Sequence, residues 1–468
     1  MIRGILYLER LNFLLRGPAL AAMALLALSF IYAGWSGDRW RDAQLDSLDA
    51  YETEKLSALA DWRSQLAVIE SGEVEPSPYD ANPMSISFPA VLRPASLGDF
   101  AIGHADLHPT SAEISPWRNL SSVFGRYQFD NPTTLATSAF DVALVVVVLM
   151  PILMIAVSFD VLASERGRSS LPMVLATPVR LSSLVWTRLA FRNGLLWLVA
   201  VVAMFGLAMA NNVGGDRFDR LTQWLAASLL YGLVWFTLIG YCVARFRSAT
   251  ATAGSLVGLW LLFTLALPAT FATLAEALYP TPSRLAFLSE IREAQSDTNQ
   301  QLSEVTSGFL LDHPELTVGD DSLPAYFRAA FLSNQAARDA TQPIVDAYTD
   351  ARAGRERTIA WAQYLSPSII AQRLLMQSAG ADLGRQHRYQ TQVQASLATL
   401  GAVVGPAVVS RNRLSLAEFD GLKPFEFNDL ISSEIARSGS LPSLFLLLLS
   451  ILVGFAAQRR LARERLDS

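Results

Sequence analysis

An all-α polytopic membrane protein, with six transmembrane helices and two mostly helical extracytoplasmic insert domains, is the architecture this sequence predicts. Three observations lead there. Hydrophobic residues make up 51% of the 468 and charged residues 17%, a balance between that of soluble chains and that of fully embedded ones. The apolar residues gather in runs close to the ~20 residues needed to cross hydrocarbon. Long polar stretches separate the first run from the second and the last two from each other.

The N-terminal residues 1–17 mix Ile2, Ile5, Leu6, Leu11, Phe13 and Leu15 with Arg3, Glu9, Arg10 and Arg16, a pattern that suits an amphipathic helix lying in the interface. The first span is placed at Pro18–Trp35. It exceeds a usual signal-peptide core, and YAGWSGDRW has no small-x-small cleavage site, so it reads as an anchor. The further spans are Val142–Phe159, Leu195–Ala210, Trp224–Ala244, Ala249–Leu274 and Leu441–Ala457, the third being the shortest. Trp35, Trp197, Trp224 and Tyr241 lie near span ends, where amphipathic rings favour the interface.

Six spans put residues 1–17, 160–194, 245–248 and the tail 458–468 on one side, with 14 arginines against 5 acids. The positive-inside rule makes that side, with both termini, cytoplasmic. The inserts, 38–138 and 275–440, are then periplasmic in a bacterial inner membrane; the first holds 7 basic and 15 acidic residues, a weak pointer to a cationic partner. The run Asp38–Glu70 lacks Gly and Pro and predicts a helix continuing the first span until SGEVEPSPYDANP breaks it. In the second insert, helices are predicted over Ser283–Leu311, Pro324–Gln363 and Ala379–Ala402.

Several chemistries lack their residues. The single cysteine, Cys242, lies in an apolar run and makes no intrachain disulfide. The two lysines, Lys55 and Lys423, follow Glu54 and Leu422, so there is no Gly-Lys-Ser/Thr phosphate loop and no nucleotide site is expected in this chain. The assigned spans carry no Asp, Glu, Lys, Arg or His, which disfavours an ion-coupled transporter. His104, Asp106 and His108 have metal-ligand composition, but Gly103 and Pro109 argue for a loop, and no metal site is assigned. His313 and His387 are isolated. No G-x-S-x-G elbow or H-E-x-x-H occurs, and Asp320–Asp321 reads as a solvated pair rather than a catalytic dyad. Pro151 and Pro268 lie inside spans, where each is either a hinge for alternating access or a fixed kink.

The segment SERGRSSLPMVLATPVR, Ser164–Arg180, follows the second span directly. Its Leu171, Val174, Leu175 and Val179, with Leu184 beyond, recur at spacings of three to five, which suits a short amphipathic helical pair broken at Pro172 and Pro178. Arg166, Arg168, Arg180 and Arg188 would meet lipid phosphates or a partner; the plainer reading is an ordinary positive loop. The pattern resembles the coupling-helix loop of ABC type-2 exporter permeases, whose usual form is E-R-E-x-G-T-L, a short apolar run, then P. Glu165, Arg166, Leu171 and Pro178 match, while Ser169 and Ser170 stand where the pattern has Gly and Thr. The stretch ARFRSATATAGSLVGLWLLFTLALPA resembles the fifth span of the same family. Tyr364–Gln394 and Phe419–Phe427 are similar to a branch with large outside inserts of unknown function.

The resemblance implies a permease subunit without its own cofactor, served by ABC ATPase subunits that hold ATP and Mg. Glu165, Arg166 and Leu171 would engage the ATPase, with Arg168, Pro178 and Arg180 shaping the loop. A second permease chain, identical or homologous, would complete the pathway, membrane lipid would surround it, a periplasmic partner would meet the inserts, and no nucleic acid is expected. Two other classes stay open: an ATPase-driven mechanotransmission device working through the inserts, and a membrane scaffold or sensor without transport.

Overall fold

A computed structural model of the chain describes residues 7, 9–10, 17–77, 79–103, 108–118, 140–163, 180–210, 215–280, 282, 286–298, 300 and 323–463. The chain is mostly helical, and six helices are long and apolar enough to cross a membrane. α1, Gly17–Glu70, is unbroken for 54 residues, about 80 Å at ~1.5 Å per residue. The missing helix breakers between Asp38 and Glu70 have the predicted effect.

Beyond α1 the first insert departs from the expectation of a mainly helical domain. A 3₁₀ turn at Pro83–Ser85 leads into β1, Phe88–Val91, which pairs antiparallel with β2, Ser111–Ile114, in the register Phe88↔Ile114 and Val91↔Ser111. The reason is a short period-two pattern. Ile86, Phe88, Ala90 and Leu92 are all buried, one face of an extended strand.

α2, Val142–Ser158, is a shorter apolar helix. α3, Leu181–Ala210, is 30 residues long, so residues 181–194, expected as part of a loop, are helix, and the third span lies in a longer helix than predicted. α4, Gly215–Arg245, and α5, Ala249–Leu278, follow the predicted fourth and fifth spans. α6, Ala325–Ala362, matches its predicted stretch, and residues 286–298 are helical; residues 301–322 lie outside the described residues, with His313, Asp320 and Asp321. The third predicted stretch is corrected. α7, Pro367–Ala379, ends at Gly380, whose φ of +70° closes the helix, and α8, Leu383–Val409, starts afresh with the Asp382 carboxylate accepting the Arg385 N–H at 3.1 Å. After α9, Leu416–Asp420, the chain returns through α10, Ser432–Arg463.

Two apolar cores organise these helices. The first joins Leu26, Phe30 and Ala33 of α1 with α2, α3, α4, Leu256 of α5, Leu446 of α10 and, unexpectedly for a part of the second insert, Ile370, Ala371 and Leu375 of α7. The second joins Leu59, Trp62 and Leu66 of α1 with both strands, Phe327 and Phe331 of α6, and Tyr389, Val393, Leu397 and Val404 of α8. The two predicted inserts therefore share one core. α8 meets the length and hydropathy of a span, yet its buried face belongs to this second core.

Polar ties reinforce the second core. The Tyr389 hydroxyl donates to Ala90 O and the Tyr51 hydroxyl to Ala112 O, each at 2.9 Å. Burial pushes the Glu113 carboxyl up, but hydrogen bonds from Lys55, Ser87 and Arg118 outweigh it and pull it down to about 2.

Candidate functional site

The two prolines singled out from the sequence, Pro151 and Pro268, each follow a π-helical segment. Val145–Leu149 precedes Pro151 in α2, and Leu262–Ala266 precedes Pro268 in α5. Proline has no N–H, so a carbonyl about one turn earlier loses its partner, and a wider π turn accommodates the gap. Neighbouring side chains then take up the carbonyls. The Tyr231 hydroxyl of α4 donates to Val147 O at 2.9 Å, and Trp260 Nε1 of α5 donates to Val148 O at 3.2 Å. Ser366 Oγ donates to Phe263 O at 2.6 Å.

One residue links the two sets. Ser368 Oγ lies 2.9 Å from the Tyr231 hydroxyl and 3.3 Å from Thr264 Oγ1. A tyrosine has one proton, and Tyr231 gives it to Val147, so Ser368 donates to Tyr231 and Thr264 to Ser368. The two prolines singled out from sequence are thus tied into one node at the N-terminus of α7, where α2, α4 and α5 meet. Sequence reasoning named the prolines and missed Tyr231, Ser366 and Ser368; the YLSPS turn before α7 was the available signal.

An ionic cluster lies where α2 ends and α3 begins. Arg192 on α3 donates from Nε to Glu9 Oε1 at 2.6 Å, and from Nη1 to Asp160 Oδ1 at 2.7 Å and Val157 O at 2.8 Å. Glu9 and Arg192 are buried. Arg188 reaches Glu9 Oε2 at 3.4 Å and donates to Val161 O at 3.3 Å, while Asn193 Nδ2 donates to Ser158 Oγ at 3.0 Å. Each ion is matched by an opposite charge and by hydrogen bonds, the condition for keeping charge away from water.

This cluster brackets the Ser164–Arg180 segment. Glu165, Arg166, Arg168, Leu171 and Pro178 lie outside the described residues. Arg180 is described and exposed, one residue before α3. Val161, Leu162 and Leu181, on the two stems of the segment, are buried in the first core.

A larger network occupies the other end of α4. Arg217 forks onto Asp99, Nη1 to Oδ1 at 3.0 Å and Nη2 to Oδ2 at 2.8 Å, and also donates to Ser96 O and to Ala208 O. Gly37 of α1 permits this, because a Cβ there would overlap the Asp99 carbonyl oxygen. Arg220 pairs with Asp216 at 2.9 Å and Asp429 at 3.7 Å; Asp429 also takes Arg385 at 2.6 Å and Arg388 at 3.6 Å. Burial raises the Asp382 carboxyl above the usual carboxylate range, opposed by the charge of Arg388. The sequence signal was Asp216, Arg217, Asp219 and Arg220 crowded just ahead of the apolar run at Trp224.

His104 and Asp106 lie outside the described residues, and His108 lines a narrow cleft with Trp40, Gln44 and Asp382. Among the described residues no group of three or more His, Cys, Asp or Glu side chains could hold a metal ion.

Comparison with known proteins bears on one part of the chain. Residues 284–428 match the model of a family described as a domain of unknown function (DUF3526). The matched stretch contains α6 to α9, and with them Ser366, Ser368, Arg385 and Arg388. No curated protein matches the chain.

Proposed function

We propose that the chain is the transmembrane permease subunit of an ABC exporter, moving a substrate out of the cytoplasm or inner membrane with ATP hydrolysed by a separate ATPase. The observation that carries this reading is the Glu9–Arg192–Asp160 cluster, with Glu9 and Arg192 buried, at the stems of the Ser164–Arg180 segment. A push on that segment would reach α2 and α3 together, and α2 leads to the proline node. The reading sets the chain in the bacterial inner membrane with both termini cytoplasmic and the second core in the periplasm. Two permease chains, identical or homologous, would pair above two ATPase subunits.

The test purifies the tagged chain from its native membranes in mild detergent, identifies what accompanies it, and assays ATP hydrolysis. A co-purifying ATPase, with Glu165→Ala and Arg166→Ala together separating hydrolysis from export, is the expected result. A chain that emerges alone and inert across several detergents, or unchanged coupling in the variant, defeats the reading.

A second reading has its own support. α1 runs unbroken between the two cores, and the Asp99–Arg217 network joins the start of α4 to both inserts. In this version an ATPase-driven chain moves the outer unit to act on a periplasmic partner without cargo. ATP-dependent release of such a partner, with no transported substrate, would favour it.

A further inference from the structure

We propose that a cavity between the end of α6, α7 and the start of α10 binds the headgroup of an anionic phospholipid bearing a hydroxyl, of the phosphatidylglycerol kind. The cavity holds about 780 Å³ of open space and is lined by Trp361, Gln363, Tyr364, Arg373, Gln377 and Leu441, among others. Three features point to that ligand.

Arg373 is exposed on α7 and makes no ion pair or side-chain hydrogen bond among the described residues. A guanidinium is shaped for two oxygens of a phosphate group. Gln363 supplies the second feature. It is 4% exposed, and its Nε2 donates to Ala360 O at 2.6 Å, while its Oε1 has no hydrogen-bond partner among the described residues. A buried amide oxygen without a donor calls for one, which a headgroup hydroxyl provides and a phosphodiester anion, having no O–H of its own, does not.

The third feature is the setting. Trp361 is 80% exposed and Leu441, which begins the apolar part of α10, is 64% exposed. A solvent-facing indole beside the start of an apolar helix is the usual furniture of a membrane interface. Leu444 and Leu448 continue the exposed row from Leu441 at helical spacing, a track for an acyl chain. The ligand would then touch α7, which carries Ser368 and its tie to both proline segments.

The test uses the full chain, purified and delipidated in detergent, titrated with phosphatidylglycerol and read by native mass spectrometry. One phosphatidylglycerol per chain is expected to bind about tenfold more tightly than phosphatidylcholine. Arg373→Ala is expected to remove that preference, and Gln363→Ala to reduce the preference of phosphatidylglycerol over phosphatidylmethanol, which has the same phosphodiester charge but no headgroup hydroxyl. Arg437→Ala, an exposed arginine outside the cavity, should bind as wild type, and circular dichroism should show all three variants folded. Undiminished binding in Arg373→Ala overturns the proposal. So does equal loss in Arg437→Ala, which would mark diffuse surface charge, or displacement of the lipid by millimolar inorganic phosphate, which would mark a free-anion site. None of these readouts involves an ATPase, so the result is independent of the function proposed above.

Discussion

The two ionic clusters at opposite ends of the helical bundle solve the same problem differently. At the α2–α3 end a single guanidinium, Arg192, gathers two carboxylates and a carbonyl from segments that are 183 and about 30 residues away in sequence. At the α4 start, charge is spread over a lattice in which Asp429 alone meets three arginines and the Asp99–Arg217 fork forms one sealed corner. A hub fails when its centre is removed. A lattice is most sensitive at its sealed corner, where both ions are almost fully withdrawn from water.

Arg217→Ala should therefore be the most damaging change in either cluster. It removes the two-pronged Arg217 contact from the buried Asp99 carboxylate, a loss on the order of 3–5 kcal/mol. Thermal unfolding in detergent, followed by tryptophan fluorescence, should show a fall in midpoint several times that of any other lattice variant; an equal fall in Arg388→Ala would mean that the sealed corner is no more sensitive than the rest of the lattice. Arg192→Ala comes next, at about 1.5–3 kcal/mol for charge-assisted hydrogen bonds whose carboxylates keep Arg188 and some access to water. Limited proteolysis of the Ser164–Arg180 segment reads this variant independently, and faster cleavage there is expected. Unchanged cleavage would mean the stems are held by apolar packing alone.

Arg388→Ala should do least, at about 0–1 kcal/mol, since the arginine is partly exposed and Asp429 retains Arg385 and Arg220. Its effect has a pH signature. Arg388 opposes the upward push of burial on Asp382, so removing it raises that carboxyl further. A folded-state pKa above the unfolded value favours folding at low pH and loses that advantage as pH rises through the folded value. The deficit of the variant relative to wild type should accordingly be larger at neutral pH than at pH about 4, and a pH-independent deficit would remove Asp382 from the account.

The comparison also shows which features a sequence can disclose. Apolar runs placed the bundle helices, and an absence of Gly and Pro carried α1 through to Glu70, because hydropathy and helix breaking are local properties. Ion pairs are not local. Nothing at Glu9 indicates Arg192, and nothing at Asp99 indicates Arg217, 118 residues later. The shared core of the two inserts was hidden for the same reason, since an amphipathic face states that it is buried but not against what. Pro151 and Pro268 were legible as irregularities, whereas their joint capping by Tyr231, Ser366 and Ser368 depends on α7 folding back among the membrane-type helices. The Glu165 to Pro178 motif, the most specific sequence signal, lies outside the described residues, so its weight rests on the resemblance alone.

α1 has one more implication. Leu26, Phe30 and Ala33 face the first core and Leu59, Trp62 and Leu66 face the second along one uninterrupted helix, so the rod sets an angle between the two cores as well as a distance. One residue added between them would turn the far face by about 100°, whereas eighteen would restore it after about five turns. The stretch between the two faces is therefore under a periodic constraint on its length that its composition does not share, and a phase-keeping insertion would restore the angle while lengthening the rod.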